Sequence, residues 1–262
     1  MYPNIPLGSQ NLPSFSLCAM VGILVFLLSV VYKLRKDPRM AEELFYIIPK
    51  LVIALGLGFL GTMFFDSLFK IPQNGGFKLA GMMFYGGVVT GISALIPMLV
   101  IFRKNTSYTA GQWLDMITVP FILFHAIGRI GCFMAGCCYG METDGPFGIL
   151  FPDLPEAGIF HHGQKVLPTQ LFESCALFVL AITLHFVKHR KFAIYSVAYP
   201  VIRFLLEFMR GDNRGSYLGF LSPSQLISII ILVADAVWFV VWLARRVRSA
   251  YSPFGGRERR SR

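Results

Sequence analysis

The stretch "FSLCAMVGILVFLLSVVYK", Phe15 to Lys33, carries no charge before its final lysine. About 20 predominantly apolar residues cross the hydrocarbon of a bilayer as a helix, so this run reads as a membrane span. Lys33, Arg35, Lys36 and Arg39 close it with a basic cluster, the mark of a cytoplasmic loop under the positive-inside rule. The preceding "MYPNIPLGSQNLPS" has neither a basic n-region nor an A-x-A site. A retained helix is therefore expected, and not a cleaved signal.

The same alternation continues through the chain. Further apolar runs are expected to span at 46–69, 79–102, 113–133, 168–187, 192–210 and 222–244. Basic residues gather around Lys50 and at Arg103–Lys104, Lys188 to Lys191 and Arg245 to Arg262, so that the clusters follow spans one, three, five and seven. The expected fold is an all-α membrane protein with seven transmembrane helices, N-terminus extracytoplasmic and C-terminus cytoplasmic. Residues 1–244 form one seven-helix membrane domain with an extracytoplasmic loop at 140–167, and 245–262 form a basic cytoplasmic tail. Composition agrees: 55% of the 262 residues are hydrophobic and 15% charged, where a soluble domain carries about 25% charged. The net charge of +10 sits between spans, which points to anionic lipid at the membrane surface and not to nucleic acid.

Ionisable residues inside spans mark functional sites. In "YPVIRFLLEFMRGDNRG", Tyr199, Arg203, Glu207 and Arg210 recur at spacings of four, four and three, which puts them on one helical face. Arg203 and Glu207 are spaced to neutralise each other. That is a poor reason to accept an insertion cost of ~2.5–3.5 kcal/mol for the arginine alone. Arg129 lies in "HAIGRIGCFMAGCCYG", His125 to Gly140, with no acid within a helical turn. It needs Glu173 or Glu207 from another helix, or an anionic ligand such as a lipid phosphate, which guanidinium grips as a fork. Gly128, Gly131, Gly136 and Gly140 suit a backbone that leaves the helix or approaches a ligand; tight helix packing accounts equally for the first two. The glycines of "GMMFYGGVVTG", Gly81 to Gly91, read as packing. His125 has no evident partner on its own helix and is a candidate base.

These residues, in this order, resemble the prolipoprotein diacylglyceryl transferase family. Its G-R-I-G-N-F-x-N-G-E-x-x-G signature is matched in frame by "LDMITVPFILFHAIGRIGCFMAGCCYG", Leu114 to Gly140. Its P-[ST]-Q-L-[YF]-E motif is matched by Pro168, Thr169, Gln170, Leu171, Phe172 and Glu173, and its Y-x-x-x-R-F-x-x-E-F-x-R helix by Tyr199, Arg203, Phe204, Glu207, Phe208 and Arg210. "LSPSQLIS", Leu221 to Ser228, is similar to its last-helix entry. The resemblance implies an enzyme of the bacterial inner membrane that moves the diacylglyceryl group of phosphatidylglycerol to the thiol of a lipobox cysteine in a secreted preprotein. Arg129 and Arg203 would hold the phosphate and Glu207 would orient Arg203. Gly128, Gly131, Gly140, Gln170, Glu173, Tyr199 and Arg210 would line the substrate site.

The chain departs from the pattern in the first span, where Phe15 replaces Tyr, and in the third, where Tyr85-Gly86-Gly87 replaces His-Gly-Gly. In the signature, Cys132 replaces Asn and Cys137 replaces Glu. Tyr85 thereby becomes a candidate catalytic phenol. Cys132, Cys137 and Cys138 fit buried packing, a Cys132–Cys137 disulfide, or a nucleophile at Cys137 or, second, Cys138, its thiolate favoured by Arg129. Metal binding with His161 or His162 ranks last, because Cys-x4-Cys-Cys is not a usual zinc spacing. No metal and no cofactor are expected. Two other readings stay open: a divergent member that transfers an acyl or glyceryl group to another thiol or hydroxyl acceptor through a cysteine, and a non-catalytic lipid-binding or transport protein. Transport would favour internally repeated halves, and no repeat is visible in the sequence.

Overall fold

The computed structural model describes residues 4–7, 10–71, 75–79, 81–103, 106–153, 163–211 and 221–250. His161, His162 and the basic tail beyond residue 250 lie outside these residues. Among these described residues there are seven helices: α1 (Ser14–Lys36), α2 (Pro38–Phe69), α3 (Phe84–Ile101), α4 (Ala110–Met134), α5 (Thr169–Phe186), α6 (Lys191–Glu207) and α7 (Pro223–Ala250). Six of them are long and apolar enough to cross a membrane; α6, with 17 residues, is the exception. The chain is mostly helical without being purely so. β1 (Asn4–Leu7) pairs with β2 (Gln10–Pro13), and β3 (Ile149–Leu150) pairs with β4 (Lys165–Val166), both antiparallel.

Helix ends fall close to the apolar runs except at the first turn, at the start of α3, which begins at Phe84 and not 79, and at the end of α7, which runs past 244 to Ala250 into the segment expected as tail. The loop expected between Lys33 and residue 46 is helical instead, with only Asp37 separating α1 from α2. Its carboxylate accepts a hydrogen bond from the Met40 amide at 3.3 Å, and Pro38 takes the first helical position. An N-cap acid followed by proline starts a helix at once.

Small residues set the packing. α1 lies antiparallel along α4: Gly22 faces Phe124, and a Cβ on Gly131 would sit 2.9 Å from the Cβ of Cys18. α2 lies against α3, with Gly58 facing Gly87 and Gly91 and with Gly61 facing Thr90. The glycines of the third run are packing residues, as their spacing suggests. Inside α4, Pro120 cannot donate to the carbonyl one turn back. That carbonyl, of Met116, accepts from Lys33 Nζ of α1 at 2.8 Å.

The basic turns share one end of the bundle. Lys50 Nζ donates to the Phe102 carbonyl at 2.6 Å, Tyr108 OH donates to Asp37 at 2.7 Å, and Asp115 accepts from the amides of Arg190 and Phe192 at the start of α6. The Arg190 and Arg246 guanidiniums both lie over the Trp242 ring. The outward faces carry exposed Leu24, Leu55, Phe59, Ile182 and Val240, while Arg129, Glu173 and Arg203 are buried. Apolar outside and charged inside is the arrangement of a bundle solvated by lipid.

At the opposite end, three main-chain segments close over the helices. The Gly140 amide donates to the Leu167 carbonyl at 2.8 Å, the Leu167 amide to the Met141 carbonyl at 3.0 Å, and the Met141 amide to the Met209 carbonyl at 2.9 Å. Gly140 is the middle of this ladder, where a Cβ would meet the Met209 carbonyl at 2.6 Å and the Leu167 Cβ at 2.7 Å. Only glycine fits there.

Candidate functional site

The ladder roofs a cluster of charges contributed by three helices and joined by Ser224 of a fourth, and Glu173 of α5 is its centre. Its carboxylate is 1% exposed. Oε2 accepts from Arg129 Nη2 of α4 and, at 3.2 Å, from Arg203 Nη1 of α6. Oε1 accepts from the Tyr199 phenol at 3.1 Å and lies 3.7 Å from His125 Nε2. The second nitrogen of Arg203 lies 2.6 Å from Glu207 Oε2 and donates to Ser224 Oγ of α7 at 3.1 Å. Arg210 Nε lies 4.0 Å from Glu207. Arg129 and Arg203 thus share Glu173, while Glu207 faces Arg203 and Arg210.

Local geometry explains each placement. α4 and α5 are pinned antiparallel, with the Ser174 hydroxyl donating to the Ala126 carbonyl at 2.9 Å. That registers Glu173 on Arg129. Of the two acids expected to meet Arg129, Glu173 does so; Glu207 serves Arg203 instead, one turn below it on α6. Arg203 is therefore held from both sides and is not merely self-paired with Glu207. α6 ends at Glu207, before Arg210. The ladder, through a Gly140–Arg210 bridge, returns Arg210 to the cluster.

The remaining expected residues divide into two groups. His125 is ringed by Phe84, Phe121 and Tyr199, at centroid distances of 4.7, 6.3 and 5.0 Å. Tyr85 OH lies 3.1 Å from Ser228 Oγ, and Ser228 donates its own proton to the Ser224 carbonyl at 2.8 Å. The phenol is therefore the donor to Ser228. Its ring meets Tyr199 edge-on at 5.5 Å. Gln170 Nε2 donates to the Cys137 carbonyl at 2.6 Å. Gly131 is consumed by packing against α1, whereas a Cβ on Gly128 would meet nothing within 4 Å. Sequence reasoning did not single out Ser224 and Ser228 individually; their i,i+4 spacing just after Pro223 was the available signal.

Several buried polar atoms are left over. Among the described residues, Arg129 Nε, both ring nitrogens of His125 and Gln170 Oε1 have no hydrogen-bond partner. Each such atom costs roughly 1–3 kcal/mol, and they cluster around Glu173 and the glycine-rich turn. A polar ligand entering there would relieve them.

The cysteines follow α4 into that turn. None of the three is in a disulfide, so the Cys132–Cys137 bridge is not formed. Their sulfurs lie within 4.8 Å of one another. Arg129 Nη1 reaches Cys132 Sγ at 4.0 Å, and the Cys137 thiol donates to the Cys132 carbonyl at 3.6 Å. Hydrogen bonding with Cys132, then with Cys138, and burial push the Cys137 thiol above its ordinary range. That is the opposite direction from an Arg129-stabilised thiolate. Cys18 packs at Gly131, and Cys175 is exposed on α5.

The profile of the prolipoprotein diacylglyceryl transferase family matches residues 4–242. The chain is 35% identical over 167 residues to phosphatidylglycerol–prolipoprotein diacylglyceryl transferase 2 of Clostridium perfringens, with 61% of each chain covered. It is 31% identical over 235 residues to the transferase of Finegoldia magna, with 84% of this chain and 87% of the relative covered. With the transferase of Solidesulfovibrio magneticus it shares 28% identity over 268 residues, covering 92% of both. The match thus spans about three fifths of the Clostridium perfringens relative and nearly all of the Solidesulfovibrio one.

Proposed function

Because the chain belongs to the prolipoprotein diacylglyceryl transferase family, we propose that it moves the diacylglyceryl group of phosphatidylglycerol to the thiol of a lipobox cysteine in a secreted preprotein. The observation that carries this reading is the convergence of Arg129 and Arg203 on one buried carboxylate, where both guanidiniums share Glu173 Oε2 and Arg129 Nε has no hydrogen-bond partner among the described residues. An anionic phosphodiester answers both. It brings one negative charge and oxygens that accept from guanidinium in a fixed fork.

In this reaction the acceptor sulfur attacks a glycerol carbon, and the carbon–oxygen bond to phosphate breaks. Glycerol phosphate leaves with the electron pair. Fixed cations in a water-poor site stabilise the charge that develops on the departing phosphate. Glu207 and Ser224 hold the Arg203 fork from behind. The thiol proton passes to His125, whose ring nitrogens have no other partner among the described residues and whose cationic form would face Glu173. Tyr85 donates to Ser228 and shapes the site instead.

The reading includes a topology. The basic end of the bundle lies in the cytoplasm, α6 completes seven spans, and the roofed end with residues 140–167 faces outward in the bacterial inner membrane. The test is purified protein incubated with phosphatidylglycerol vesicles and a lipobox peptide, beside complementation of a strain depleted of its own transferase. Diacylglyceryl-peptide and restored growth are expected. Product only with other thiol or hydroxyl acceptors would reassign the acceptor, and no lipid-dependent product with any acceptor would sink the reading.

A further inference from the structure

Cys132, Cys137 and Cys138 border the charge cluster, with Arg129 reaching Cys132 Sγ at 4.0 Å, but the transferase reading gives them no role. Sequence spacing argues against a metal, but the fold overrides spacing. After α4 ends, Gly136 and Cys138 both adopt left-handed backbone, with φ of 72° and 67°. This turn folds the second and third thiols back over the first, so that all three sulfurs lie within 4.8 Å of one another. The loop is fixed from behind: Gln170 Nε2 donates to the Cys137 carbonyl at 2.6 Å and Thr169 Oγ1 to the Cys138 carbonyl at 2.9 Å. Three soft donors, convergent and braced by hydrogen bonds to their own backbone, are what a thiophilic cation requires.

From this convergence of Cys132, Cys137 and Cys138 we propose that the turn after α4 is a three-thiolate site for zinc(II). Zinc–sulfur bonds of about 2.3 Å in a tetrahedron place sulfurs about 3.8 Å apart, so the cluster need contract by no more than about 1 Å. Binding deprotonates the thiols, and the loaded site carries one negative charge. Arg129, 4.0 Å from Cys132 Sγ, supplies a neighbouring cation. Copper(I) shares the chemistry but would leave two negative charges, which a half-buried site tolerates less well. Three protein ligands leave the fourth tetrahedral position open. The assignment does not depend on the transferase reading.

The experiment reads metal and not turnover. The full chain, purified reduced in detergent, is loaded with zinc(II), desalted and measured by plasma mass spectrometry, with a copper(I) arm run in parallel. About one zinc per chain is expected. Competition with a chromogenic chelator should show at least about tenfold weaker binding in each of Cys132→Ala, Cys137→Ala and Cys138→Ala, by analogy with the 10–100-fold losses that follow disruption of metal-site partners. Cys175→Ala, on the exposed face of α5, should keep its zinc. Cobalt(II) added to the unmodified protein should give a thiolate charge-transfer band, a readout that needs no variant to fold. Zinc content no higher than in the triple alanine variant, uptake of copper(I) alone, or a Cys132–Cys137 disulfide without metal would each overturn the proposal.

Discussion

Arg203 donates to Glu173 across 3.2 Å from a different helix, and neither side chain is more than 2% exposed. Removing the carboxylate leaves Arg203 and Arg129 facing each other in a bundle interior. Glu173→Ala should cost about 3–5 kcal/mol, the usual penalty for stranding a buried charge. A lower thermal unfolding midpoint in detergent, together with lost transfer, checks this; an unchanged midpoint would contradict the central role of Glu173.

Arg129→Gln and Arg203→Gln should insert normally and lose about 10²–10³ in kcat, the size seen when one transition-state donor is removed. Arg203→Lys should also be poor. A single ammonium cannot face Glu173, Glu207 and Ser224 together as the guanidinium does. Steady-state transfer on phosphatidylglycerol vesicles decides, and full activity in both Gln variants would exclude phosphate holding.

His125 and Tyr85 should separate cleanly. His125→Gln removes the proton acceptor and should reduce turnover by about 10²–10⁴. Tyr85→Phe removes only the bond to Ser228, worth about 1 kcal/mol of stability, and should retain most activity. The reverse pattern would make the phenol the catalytic group.

Gly140→Ala and Gly128→Ala form a matched pair. The first drives a methyl into the Met209 carbonyl and Leu167 and should disrupt the roof and the Arg210 contact. The second meets nothing and should leave folding intact. Any loss in Gly128→Ala should therefore appear as a raised KM for lipid. Protease resistance and KM, measured side by side, distinguish the two.

For the topology, Asp144→Cys should gain labelling by a membrane-impermeant maleimide in intact spheroplasts, above the wild-type background. Glu43→Cys should be labelled only after lysis. The opposite result would invert the orientation.

The apolar runs made the helices legible, because about 20 residues without charge have few other uses. Arg129, Arg203 and Glu207 were legible for the complementary reason, since a charge in such a run needs justification. The distribution of partners was not legible. Glu173 and Glu207 were equivalent candidates for Arg129 until the register of α4 on α5 chose between them. The polar capacity of Ser224 and Ser228 is invisible in a helix entry that reads as ordinary capping. The thiol convergence also escaped the sequence, because it depends on the left-handed backbone at Cys138, which no side-chain preference announces.

α1 packs along α4 and only sparsely on α2, its neighbour in sequence. At about 5–20 residues per second, the roughly 100 residues between the end of α1 and the end of α4 take on the order of 5–20 s to leave the ribosome. Throughout that interval α1 resides in the bilayer without its packing partner, and Lys33 has no Met116 carbonyl to engage. α2 and α3, which pair with each other, can settle in the meantime. Assembly order therefore differs from synthesis order. Substitutions at Gly22, Gly131 or Lys33 should be felt first as lost yield at the translocon, because α1 is made well before the helix it packs against.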